Sequence, residues 1–340
     1  MRVEKFVLSE ERKASLTAYI QETSAEFSFG KRPAMVVIPG GGYAMCSDRE
    51  AEPVALAYMN AGYNAFVLRY TTTDVGKWPY PLQDYEAAME LLEAKADEFG
   101  IDASRIACVG FSAGGHLAAC AATVAKHKPR AAVLVYPAIL EEICNLCQPG
   151  MPYPCQEVKG DTAPCFIIAA RDDAVVPVKN AIAFADSLAD QGIQFEMHIY
   201  SLGQHGFSTA AANLNISEVC SRLPEWVDYS IKWLNEVMGE LTASGFTKPK
   251  LLPSINGDAF PMLSVHCTVR HIRACRNADE AMAEFYGVVA ASAREKGLPE
   301  EGVYTAIGPQ TIKSVMEMLV LPVEQIEALD GKLKLLANSF

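Results

Sequence analysis

The chain has 340 residues, half of them hydrophobic, so it exceeds one average domain and can bury a sizeable core. Its formal net charge of −12 argues against nucleic acid or an anionic membrane as a partner, since both are bound through basic patches, and suits a protein that handles neutral small molecules. Residues Met1 to Leu8 lack the apolar stretch of a signal peptide and no run is long enough to span a membrane, so a cytoplasmic protein with ten reduced cysteines is expected.

Phe6 to Leu8 and Ala14 to Gln21 read as two opening strands. Arg32 to Ile38 is a continuous apolar run, the pattern of a strand buried on both faces, and it leads straight into Pro39-Gly40-Gly41-Gly42-Tyr43. Ser47-Asp48-Arg49-Glu50 has the spacing of a capping box and predicts a helix to about Asn60, closed by Gly62. Tyr63 to Tyr70 is a further strand. The Trp78-Pro79-Tyr80-Pro81 turn then introduces a helix from about Leu82 to Phe99.

Next, the apolar run Ile106 to Val109 enters Gly110-Phe111-Ser112-Ala113-Gly114, and a small-residue helical pattern follows from His116 to Lys126. A Gly-x-Ser-x-Gly pentapeptide is weak evidence alone. Between a strand and a helix it predicts a sharp turn that strains the serine backbone and exposes its hydroxyl. A nucleotide-binding turn is the alternative, but no lysine follows the glycines.

Ala131 to Tyr136, Pro164 to Ala170 and Gln194 to Tyr200 are strands. Val178 to Gln191 and Pro224 to Glu240 are helices, and Leu140 to Ala163 is loop-rich. Strands alternating with helices predict a mainly parallel sheet, with ligands beyond the carboxyl ends of its strands. Cys144-x-x-Cys147 with Cys155 and Cys165 lacks a second close pair and a nearby histidine, so it reads as free thiols rather than a metal site. From about Ala243 the pattern changes: Asn277 is placed to cap a helix to about Lys296, and two short helical patterns follow, Gln310 to Leu321 and Val323 to Lys334. Domains 1–242 and 243–340 are expected, the second a helical module for homo-oligomerisation or for covering an active-site rim. Thr311 to Leu329 has a faint helix-turn-helix cadence, which the acidic charge makes a poor DNA binder.

Acyl transfer needs a nucleophile, a base, a group that orients the base and donors for an oxyanion. Ser112 supplies the first. His205, in a glycine-flanked loop just after a strand, is the base; His116, His127, His198, His266 and His271 lie on helices, in a strand or in the tail. By composition either Asp172 or Asp173 could orient it. The amides of Ala113 and of Gly40 and Gly41 are the oxyanion donors. Tyr43, Trp78 and Tyr80 either line a pocket and stack on a sugar ring or pack in the core and loops.

Residues from about 14 to 238 resemble the α/β-hydrolase esterases of the acetyl-esterase or acetylxylan-esterase type, often grouped as carbohydrate esterases acting on hemicellulose. Beyond the motifs above, Arg32-Pro33, Asp173-x-x-Val176-Pro177 and His205-Gly206-Phe207 carry the likeness. Pro39 stands where hormone-sensitive-lipase relatives have a histidine. The resemblance implies an α/β-hydrolase fold with a small helical C-terminal appendage, the chain order serine, acid, histidine, and Asp173 as the acid, four residues before Pro177; Asp172 is then a turn residue or a helix-entry charge. It also implies hydrolysis of short-chain, acetyl-type esters of sugars or xylo-oligosaccharides through an acyl-enzyme on Ser112, with no metal or cofactor. A lipase, a peptidase or a non-catalytic binding protein on the same fold are the alternatives.

Overall fold

Arg32–Ile38 (β3 below) is buried along its whole length, as an uninterrupted apolar run requires: Ala34, Val36 and Ile38 enter one core, Met35 and Val37 another. The computed structural model describes residues 1–24, 26–215, 218–258 and 260–338. It builds an eight-stranded sheet from β1 (Arg2–Ser9), β2 (Ala14–Ile20), β3 (Arg32–Ile38), β4 (Asn64–Arg69), β5 (Ile101–Phe111), β6 (Ala131–Val135), β7 (Cys165–Ala170) and β8 (Phe195–Tyr200). Their spatial order is β1-β2-β4-β3-β5-β6-β7-β8. Only the β1–β2 and β2–β4 pairs are antiparallel; β4, β3 and β5 to β8 run parallel.

The helices of this part are α1 (Glu52–Asn60), α2 (Tyr80–Ala94), α3 (Ala113–Thr123), α4 (Glu141–Cys147), α5 (Lys179–Asp190) and α6 (Trp226–Met238). Tyr85, Leu92, Leu117, Phe184 and Leu188 of α2, α3 and α5 pack on one face of the sheet. Val54, Tyr58, Trp226 and Leu234 of α1 and α6 pack on the other. Because β3 and β5 to β8 are parallel, their carboxyl ends share one edge. The chain leaves β3 toward β4 on one side and returns to β5 on the other, and at such a reversal of order a crevice opens at that edge.

The capping-box expectation fails for a physical reason. Ser47 makes no side-chain cap bond; Asp48–Glu50 is a single 3₁₀ turn, and the Glu50 carboxylate turns inward instead of back to the helix start. The stretch Leu140 to Ala163 is mostly loop, as expected, and includes α4, whose seven residues are too few to show a helical period.

After α6 the chain forms a two-stranded hairpin, β9 (Leu241–Thr242) and β10 (Gly245–Phe246), and folds back: the amides of Lys250 and Leu251 donate to the Glu236 carbonyl, and that of Gln194 to the Pro253 carbonyl. The chain therefore divides at Pro253/Ser254, later than the composition change near 243. The second unit holds α7 (Val269–Ala274), α8 (Asp279–Glu295), α9 (Glu300–Ile307), α10 (Ile312–Met318) and α11 (Val323–Leu333) around Met282, Phe285, Val289, Ile312 and Leu333. Asn277 does not cap α8; its side-chain amide donates to the Ala337 carbonyl. Among the described residues, no helix is long and apolar enough to cross a membrane.

Candidate active site

Ser112 sits between β5 and α3 with φ 53° and ψ −115°, a conformation that costs any residue with a Cβ. Its surroundings hold it there. The Ser112 amide donates to the Val135 carbonyl at 3.0 Å, and its own carbonyl accepts from the amides of His116 and Ala138. A Cβ on Gly114 would stand 2.2 Å from the Ile38 carbonyl oxygen, so helix α3 can approach β3 only with glycine at that position.

At the same edge, His205 reaches across from the loop after β8. Its Nε2 lies 2.9 Å from Ser112 Oγ and its Nδ1 2.7 Å from Asp173 Oδ2. Asp173 leaves the end of β7, and its other oxygen accepts the amides of Val175 and Val176 at 2.9 and 2.8 Å. Its side chain is 1% exposed, against 17% for His205. A carboxylate so filled cannot swing. It draws the Nδ1–H toward itself and leaves the Nε2 lone pair on the serine hydroxyl.

Asp172 lies in the turn after β7, as one of its two expected places, and is not a helix-entry charge. Its Oδ1 accepts the amides of Gly203 and Gln204 at 2.9 and 3.0 Å, pinning the loop immediately before His205. The two adjacent carboxylates divide the work: one meets the ring, the other fastens the backbone that carries it.

The expected oxyanion donors separate. The Gly40 amide donates to Glu50 Oε2 at 2.8 Å and is not free for a substrate, so that expectation is corrected. Gly40 is needed for another reason: a Cβ there would lie 3.0 Å from Ser112 Cβ and 2.6 Å from the Phe111 carbonyl oxygen. Among the described residues, the amides of Gly41, at φ +128°, and Ala113, the first residue of α3, have no acceptor.

Two residues of the site were not anticipated. The Tyr136 ring packs on the His205 ring with centroids 4.8 Å apart, and its hydroxyl donates to Glu50 Oε1 at 2.6 Å. Glu50 thus meets both Gly40 and Tyr136. The available signal for Tyr136 was its position directly after β6, at the edge from which Ser112, Asp173 and His205 also emerge.

His116 has a structural place. Its Nε2–H donates to the Pro152 carbonyl at 2.9 Å, and its Nδ1 accepts the Tyr43 hydroxyl at 2.8 Å. Tyr43 is therefore buried and committed, the core-packing alternative of the two expected for it, and does not line a pocket as a substrate-binding residue. Trp78 packs edge-on to His116 with ring centroids 5.5 Å apart, and the exposed Tyr80 ring carries the Arg12 guanidinium at 5.3 Å. Of the three aromatics, only Tyr43 is fully buried. The ten cysteines are free thiols; Cys165 is buried in β7, and burial pushes the Cys144 thiol of α4 up to about 12.

Burial lowers the His116 pKa from 6.5 to about 4, which has a signed consequence. Above about pH 6.5 this ring is neutral both folded and unfolded and adds no pH dependence. Between about 6.5 and 4 the unfolded chain takes up a proton that the folded ring refuses. Stability should fall through that window by about 3 kcal/mol on this account and level off below it. Urea midpoints measured from pH 7 to pH 4 test this, together with an NMR signal for His116 that keeps its Nε2–H tautomer throughout the upper part of the range.

Residues 23–148 match a family model described as BD-FAE, and residues 150–232 match that of the prolyl oligopeptidase family. An endo-1,4-beta-xylanase B of Butyrivibrio fibrisolvens is 34% identical over 213 residues, 53% of this chain and 33% of that protein. An acetylxylan esterase of Xylanibacter ruminicola is 30% identical over 222 residues, 59% of this chain and 45% of that protein. The chain thus matches less than half the length of either relative. The solved structure of MGS-M1, an alpha/beta hydrolase enzyme from a Medee basin deep-sea metagenome library, is 38% identical with a TM-score of 0.65, over 70% of this chain and 98% of its own.

Proposed function

From this chain's membership of the α/β hydrolases, we propose that it is a serine esterase that removes short acyl groups, acetyl above all, from sugars or xylo-oligosaccharides. The observation that carries the reading is His205 bonded to Ser112 Oγ on one side and to Asp173 on the other. In the proposed reaction Ser112 Oγ attacks the ester carbonyl while His205 Nε2 takes its proton. Asp173 stabilises the imidazolium, and the amides of Gly41 and Ala113 hold the oxyanion. The imidazolium then protonates the leaving alcohol. Water, deprotonated by His205, attacks the acyl-serine and releases the acid. Each proton taken by the ring is returned, and the chemistry calls on no cofactor.

The choice of acetyl is supported by the acetylxylan esterase relative, and the unbridged thiols suit a reducing compartment such as the cytoplasm. A panel of acetylated xylo-oligosaccharides, p-nitrophenyl acetate and longer p-nitrophenyl esters tests it. The expected result is acetate release from the oligosaccharide and a kcat/KM that declines as the acyl chain lengthens. A second reading, a peptidase, has one observation in its favour, the prolyl oligopeptidase match over residues 150–232. Turnover of peptide anilides above that of acetyl esters in the same panel would favour it. For the second unit we propose self-association, to be read as the mass in solution.

A further inference from the structure

We propose that Glu50 is a positioning residue for this reaction: its one carboxylate sets the oxyanion loop after β3 and, through Tyr136, the wall on which His205 rests. The proposal deepens the esterase reading and rests on it.

Glu50 is 4% exposed, and each of its oxygens has a different task. Oε2 accepts the Gly40 amide at 2.8 Å, while Oε1 accepts the Tyr136 hydroxyl at 2.6 Å. Only one glycine separates it from the nucleophile: a Cβ on Gly40 would lie 2.8 Å from Oε2 and 3.0 Å from Ser112 Cβ. The same short turn also holds the far side of that glycine, since the Ser47 amide donates to the Gly40 carbonyl at 2.9 Å. The Gly41 N–H shares a rigid peptide plane with that carbonyl and points the opposite way. Fastening the Gly40 carbonyl to Ser47 therefore turns the Gly41 N–H away from the turn, and the bond from Glu50 stops the preceding peptide from rotating.

The second arm runs to the histidine. The Tyr136 hydroxyl, besides donating to Glu50, accepts the Ser208 amide at 3.1 Å, and Ser208 Oγ donates to the Arg49 carbonyl. Residues 47–50 thus tie together the loops that follow β3, β6 and β8. An apolar side chain could fill the space but would leave the Gly40 N–H and the Tyr136 O–H buried without an acceptor. Negative charge at Glu50 would favour the imidazolium but oppose the nearby oxyanion. Hydrogen bonding of the right reach, rather than charge, is what the site uses.

That distinction sets the experiment. Glu50→Gln can accept from Gly40 with its carbonyl and donate to the Tyr136 oxygen with its amide, so both contacts survive without charge and only the Tyr136 O–H loses its acceptor. Glu50→Asp keeps the charge but is a methylene too short to span both partners. Steady-state hydrolysis of p-nitrophenyl acetate should show Glu50→Ala and Glu50→Asp down about 100-fold in kcat with KM within about threefold of wild type. Glu50→Gln should recover most of that loss, and Tyr136→Phe, which keeps the ring on His205, should fall about tenfold. Wild-type kcat in Glu50→Ala, or Glu50→Asp more active than Glu50→Gln, would overturn the proposal. If circular dichroism shows Glu50→Ala unfolded, the order of Gln against Asp and the Tyr136→Phe loss decide. A wild-type protein no more active than Ser112→Ala would instead sink the esterase reading, and this proposal with it.

Discussion

Replacing Ser112 by alanine is expected to cut turnover of p-nitrophenyl acetate by about 10⁴-fold or more and to leave the fold intact. The argument has two halves. Chemically, no other hydroxyl among the described residues is bonded to His205 Nε2, so the variant has a base and the proposed oxyanion donors with nothing to attack through. Structurally, the hydroxyl makes no bond besides that one among the described residues. The strain at φ 53° is carried by the backbone bonds to Val135, His116 and Ala138, which alanine keeps. Thermal unfolding should therefore be nearly unchanged. The same variant should fail to react with a fluorophosphonate that labels the wild type at Ser112. A folded Ser112→Ala protein with near-full turnover would end the proposed mechanism.

The second large effect is expected at Asp173→Asn, about 10⁴-fold in kcat/KM at neutral pH, although only one atom changes its chemistry. Asp173 Oδ1 accepts the amides of Val175 and Val176, so the asparagine carbonyl must take that place, and its NH₂ then faces His205 Nδ1. An N–H cannot oppose an N–H. The ring must expose a lone pair at Nδ1 and carry its proton on Nε2, against the Ser112 hydroxyl. The base is then present in the wrong tautomer. Kinetics on an acetyl ester measure the loss, and the nitrogen shifts of His205 report the tautomer. A variant with wild-type rates would show that the aspartate does not orient the ring.

Much of the scaffold was legible from the residues. Arg32 to Ile38, Ala131 to Tyr136 and Pro164 to Ala170 are apolar runs bounded by glycine or proline, and burial on both faces leaves few alternatives to a central parallel strand. The short helices α4, α7 and α9 were not legible, because six to eight residues carry too few turns to reveal a period. Ser47 to Glu50 misled for a different reason. The local pattern of a capping box is real, but two buried partners, the Gly40 amide and the Tyr136 hydroxyl, compete for the carboxylate. A buried hydrogen bond to a charge outweighs a solvent-exposed cap.

The order of Ser112, an aspartate and His205 along the chain, each just past an apolar run, determined by itself that these groups would leave one sheet edge, since parallel strands present all their carboxyl ends together. Which groups meet there was decided only by folding. Asp172 and Asp173 are identical in kind and adjacent, and their separate roles follow from side-chain direction at the end of β7. Gly40 and Gly41 are equally alike in sequence, yet a carboxylate ten residues on occupies one amide and leaves the other without an acceptor among the described residues. Hydrogen bonds act over about 3 Å, and assignments at that scale depend on partners brought in from other strands, which no local pattern along the chain records.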